Sequence, residues 1–118
     1  MRWSLLALFL AGCAGSPTDP TQYETPERSY ARERVSYYAD ALAVSRPEVW
    51  FGDPPAVQPT PAAWTVTGIY KVHFNAAWLA ALPPSAQVDG VVAHEVCHLT
   101  LPEHDEVGAN SCRDRLLR

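Results

Sequence analysis

The sequence predicts an α+β fold: an N-terminal helix, a small sheet of about three strands, and a C-terminal hairpin of two helices. Three observations point to it. Apolar residues recur at helical spacing near both ends of the chain. The middle holds short β-prone runs separated by proline and glycine. Near the C-terminus, His94-Glu95-Val96-Cys97-His98 sets two histidines four residues apart, on one face of a helix. A chain of 118 residues has room for one small domain.

The first element is a leader rather than part of the fold. Arg2 gives a positive start, and Trp3 to Ala11 form an apolar run too short to span a bilayer as a helix. The run ends in Leu10-Ala11-Gly12-Cys13, which resembles the lipobox of bacterial lipoproteins at all four positions. That resemblance implies a leader over residues 1–12, cleavage before Cys13, and acylation of the Cys13 thiol and amine. It further implies a lipid-anchored place in the bacterial cell envelope, on the outer membrane facing the periplasm in a Gram-negative host. An ordinary signal peptide or an uncut N-terminal anchor is the alternative. Residues 13–25 are rich in proline, serine and threonine and read as a tether, leaving 26–118 as the domain.

Thr25-Pro26-Glu27 reads as a helix start, with a cap, a proline in the first turn and an early acid. The helix is expected from Pro26 to about Val44, stopped by Pro47, with Tyr30, Ala31, Val35, Tyr38, Ala41 and Leu42 on its packing face. The tyrosines read as core and rim packing. Glu48 to Phe51 is a short strand closed by Gly52-Asp53-Pro54-Pro55, and the proline-rich stretch to Pro61 is a loop. Trp64–Thr67 and Ile69–Phe74 read as two strands around Gly68. Ser85 caps the helix that carries the two histidines, and Val88, Val91, Val92, Val96 and Leu99 face its core side. Thr100-Leu101-Pro102-Glu103 has a capping-box pattern, so the last helix is expected from about Leu101 to Leu117.

The spacing H-E-x-x-H carries chemistry. Both imidazoles can reach one metal ion, and the intervening acid can hold and deprotonate its water, the working part of a zinc hydrolase. A chain this short carries the pattern by chance roughly three times in a thousand. His94 and His98 are therefore expected as metal ligands and Glu95 as the general base, with zinc as the cofactor. A catalytic zinc usually has a third protein ligand. His104 and Glu106 both qualify, and on one regular helix they would sit about 200° apart, so only one of them faces the metal.

The stretch Ile69 to Asn75, Leu79, Leu82-Pro83-Pro84, Val88 to Val92, His94 to Leu99 and Pro102-Glu103-His104 resembles the YgjP-like and SprT-like small zincins. That resemblance implies a minimal zincin-like metallopeptidase domain in which His94, His98 and His104 bind zinc. The metzincins share the spacing through His104, but Leu101 stands where they carry glycine. Glu106-Val107-Gly108-Ala109-Asn110 is similar instead to the second helix of the IrrE/ImmA-type gluzincins, which implies Glu106 as third ligand. His104 is preferred, since its spacing occurs in two of the resemblances; the other residue would then back a ligand histidine. Glu103 and Asp105 read as solvated charges at a helix N-terminus.

Cys97 and Cys112 lie one on each arm of the hairpin, and an oxidising envelope favours a disulfide between them; two buried thiols are the alternative. His73 and Tyr70, on the strand before the metal helix, are candidates for stabilising an oxyanion if that strand is the edge that receives substrate; otherwise they are ordinary strand residues. Trp50, Trp64 and Trp78 are core or cleft-wall candidates, and Arg113 and Arg115 complement a helix C-terminus. Nine basic residues against thirteen acidic ones, a formal charge of −4, exclude a nucleic-acid footprint. The leading expectation is a lipid-anchored zinc hydrolase, most simply a metallopeptidase acting on a peptide or protein, with the membrane as partner through its lipid. The alternative is a zinc-stabilised structural or interaction lipoprotein without turnover.

Overall fold

The computed structural model describes residues 24–56 and 60–118. The leader, Cys13 and all but the last two residues of the tether lie outside them. Helix α1 spans Pro26–Ala41, its N-cap Thr25 accepting the Arg28 N–H through its hydroxyl at 3.1 Å. It stops three residues before the expected end. Ala43 takes a left-handed conformation (φ 59°), and the Val44 and Ala43 N–H groups turn back to the carbonyls of Ala39 and Asp40. This double closure satisfies the last carbonyls without a glycine.

Strands β1 (Glu48–Gly52), β2 (Ala63–Val66) and β3 (Lys71–Asn75) form one sheet in the order β1-β3-β2. β3 is central, parallel to β1 and antiparallel to β2. A 3-10 turn, Thr67–Ile69, followed by Tyr70 at φ 54°, joins β2 to β3, where the sequence suggested a simple break at Gly68. The period-2 alternation sorts the side chains. Val49, Ala63, Val72 and Phe74 face the core, while Trp50, Trp64 and His73 are register neighbours on the other face. Asn75 ends β3 and caps a five-residue helix, α2 (Ala76–Ala80), its Oδ1 accepting the Ala77 and Trp78 N–H groups.

Helix α3 (Ala86–His98) packs its buried Val88, Val92 and Val96 into the cluster formed by the sheet and by Ala31, Val35 and Tyr38 of α1. The α1 tyrosines do more than pack. The Tyr30 hydroxyl donates to Asp89 at 2.7 Å and that of Tyr38 at 3.3 Å, with the Arg34 guanidinium 3.5 Å from the same carboxylate. This network pins α3 to α1 at the end remote from the histidines.

Helix α4 spans Glu106–Leu116, five residues shorter at its start than the capping-box reading implies. Thr100 does not cap it; its hydroxyl bonds the Cys97 carbonyl at 2.8 Å. Pro102 biases Leu101 away from helical geometry, and Asp105 becomes the cap by accepting the Gly108 N–H at 2.9 Å. A Cβ on residue 108 would meet that Asp105 carboxylate in its present position, so the side chain sits unusually close over the glycine. Asp105 is thus a structural cap rather than a solvated charge. Cys97 and Cys112 form a disulfide across the α3–α4 hairpin, over a small buried cluster with Ala109. The architecture is α+β, and no described helix is long and apolar enough to cross a membrane.

Candidate metal centre

The last two turns of α3 and the first turn of α4 meet at one point. His94 and His98, four apart, present their rings edge to face with centroids 4.8 Å apart and Nε2 atoms 3.1 Å apart. The Glu106 carboxylate closes the triangle, with Oε1 2.9 Å from His94 Nε2 and Oε2 3.2 Å from His98 Nε2. Two ligand atoms each about 2.0–2.1 Å from a tetrahedral zinc stand roughly 3.3 Å apart. The three groups therefore already hold near-ligand spacing. Three acceptor-capable groups this close are at rest only around protons or a cation. The donor set, two imidazoles and a carboxylate, suits zinc among several divalent metals.

The third member is Glu106, the alternative of the sequence reading, and not the preferred His104. The early end of α3 and the late start of α4 account for this. His104 sits in the connecting loop with a left-handed backbone (φ 66°), while Glu106 begins the helix and turns in. A separation of about 200° would hold only on a common helix, which the two residues do not share. His104 is exposed and, with Glu103, lines the outer wall of the cleft that holds His98 and Glu106.

Glu95 is buried between α3 and β2. Only 8 % of it is exposed, and the Thr65 hydroxyl lies 2.6 Å from its Oε1 and 2.9 Å from its own carbonyl oxygen. Burial raises the Glu95 carboxyl to about 7, against the opposing pull of the Thr65 hydrogen bond and the His94 ring. Exposure rises across the cluster: His98 at 11 % and His94 at 17 % are sheltered, while Glu106 at 65 % faces the opening.

The centre lies at the waist between two concavities that share Ala63 and Glu95. One, of about 300 Å³, opens past His98 toward Thr67, Glu103 and His104. The other, of about 450 Å³, opens past His94 along the α3–α4 groove. The strand between them is β2, an edge strand. The expected edge, β3, is buried between its neighbours. Its His73 stacks on Trp64 (centroids 5.1 Å apart, 9° between planes), and Tyr70 donates to the Ser45 carbonyl at 2.7 Å; neither joins the metal cluster. Thr65 is the residue that sequence reasoning missed. Its signal was present in the alternation of β2, which sets Thr65 on the same face as Ala63, but only strand order reveals that this face meets Glu95.

No family model, curated protein or solved structure matches this chain.

Proposed function

We propose that this chain is a lipid-anchored zinc-dependent hydrolase of the bacterial cell envelope, most simply a metallopeptidase. The observation that carries the reading is the convergence of His94 Nε2, His98 Nε2 and the Glu106 carboxylate within 4.8 Å of one another, beside a buried glutamate and an open cleft. When bound, zinc supplies Lewis acidity, making a coordinated water acidic and polarising a carbonyl. The chain's own residues do the rest. His94, His98 and Glu106 would hold the ion at the side of the cleft. Glu95 takes the proton of the attacking water and returns it to the leaving amine, while Thr65 fixes the carboxylate in place. An extended peptide fits beside β2, whose outer edge has no partner strand among the described residues.

The second reading is a structural zinc site without turnover. It draws on His104, which lines the same cleft and would close the site as a fourth ligand. Against it, the Cys97–Cys112 bond already ties the hairpin that such a zinc would staple.

Elemental analysis of the purified chain, with cleavage of a peptide library, tests the proposal. About one zinc per chain is expected. Glu95→Gln should keep the zinc and lose cleavage. No zinc in the folded protein, or undiminished cleavage by Glu95→Gln, would overturn it.

A further inference from the structure

Gly90 lies in the middle of α3, one turn before His94, and nothing among the described residues requires a glycine there. Its φ is not positive, and a Cβ built on it would meet no atom within 4 Å. A glycine inside a helix costs about 1 kcal/mol against alanine. The space kept open by the missing side chain is the groove beside the metal centre, which Gly90 lines.

That groove has apolar walls near the centre, from Pro61, Ala63 and Val91, and polar groups from Gln87, Asn110 and Arg113. Glu106, Asn110 and Arg113 follow one face of α4 at i, i+4 and i+7. Arg113 therefore stands roughly 10 Å along the helix from the metal-facing carboxylate. An extended peptide covers that distance in about three residues. On α3, His94, Gly90 and Gln87 descend in parallel with them. Among the described residues the Arg113 guanidinium is occupied only by its neighbour Asp114, through one carboxylate oxygen at 3.0 Å. An exposed pair of this kind contributes about 1 kcal/mol or less and yields to a better-placed carboxylate.

We propose that this groove binds the C-terminal end of a peptide, with small side chains over Gly90 and the terminal carboxylate on Arg113. The direction rests on the peptidase reading. A peptide laid antiparallel to β2 carries its C-terminal part past Pro61, into this groove. The activity is then release of a fragment of about three residues from a free C-terminus. One water is consumed per bond; its oxygen enters the new carboxylate, and a proton goes through Glu95 to the new amine.

The test is a calorimetric titration of the metal-free full chain with N-acetyl-Ala-Ala-Ala and with its C-terminal amide. The acid is expected to bind about tenfold more tightly than the amide. Arg113→Gln should erase that difference. Gly90→Leu should weaken both ligands about tenfold while keeping or raising the melting temperature, since leucine is the better helix former. Equal binding of acid and amide, no detectable binding of either, or discrimination that survives Arg113→Gln would overturn the proposal. With no metal present, these outcomes are independent of whether zinc binds and whether any peptide is cleaved, which the zinc and Glu95→Gln measurements decide.

Discussion

The Thr65 hydroxyl bridges two acceptors of one residue, the Glu95 carboxylate at 2.6 Å and the Glu95 carbonyl at 2.9 Å. A strand and a helix thirty residues apart in sequence are joined at the one side chain that the proposed reaction needs held still. Thr65→Val keeps the shape and removes the bridge. Zinc content should be unchanged, and cleavage should fall about tenfold or more, with Thr65→Ser restoring most of it. Metal analysis beside a peptide-cleavage rate checks this; a Val variant as fast as the parent would leave Thr65 a packing residue only.

Glu106 and His104 are separable by the same metal analysis. Glu106→Ala removes one of three converging groups and should lower zinc affinity by about a hundredfold or more. His104→Ala touches a loop residue outside the cluster and should leave zinc at parent level. Loss of zinc on removing His104 would support the closed, structural site instead.

The fate of His104 shows what local sequence can and cannot say here. The H-E-x-x-H helix was legible because apolar periodicity and ligand spacing agree over thirteen residues; Ser85 takes the N-cap position, though its side chain makes no capping hydrogen bond. The third ligand was not, because it depended on where the next helix begins. Two local signals competed there, Thr100 with Glu103 and Asp105 with the Gly108 N–H, and the second prevailed. The edge strand was illegible for a different reason. β2 and β3 were both visible as strands, but β1 pairs in parallel on the far side of β3, and no residue in β3 announces that it will be sandwiched. Thr65 and the groove over Gly90 were lost with that information, while the disulfide was one of the two states expected for the cysteines on the hairpin arms.

That disulfide makes a further expectation quantitative. Cys97 and Cys112 are separated by 15 residues, and closing a loop of that size restrains the unfolded chain by about 3 kcal/mol. Reduction, or replacement of both cysteines by alanine, should lower stability by about that amount in denaturant unfolding. The bond also holds Glu106 over α3, so the reduced protein should bind zinc more weakly, and added zinc should recover part of the lost stability. Unchanged unfolding midpoints with and without reductant would refute both expectations.

His73 gives the fold an acid-side weakness independent of the metal centre. Its ring stacks on Trp64, and its Nε2 is buried without a hydrogen-bond partner among the described residues. Burial holds the imidazole below its ordinary value; Lys71 adds to this and Glu48 opposes it. A base with a lowered value in the folded state binds its proton more readily when unfolded. No stability is lost while the pH stays above the ordinary imidazole value of about 6.5. As the pH falls through that value the unfolded chain takes up the proton first, and the fold weakens. His73→Phe keeps a ring on Trp64 and carries no proton. Its melting temperature should therefore drop less than that of the parent between about pH 7.5 and about pH 5.5. The comparison cancels the other acid-sensitive groups, which both proteins share. Parallel melting curves across that range would mean that His73 takes its proton as easily in the fold as outside it.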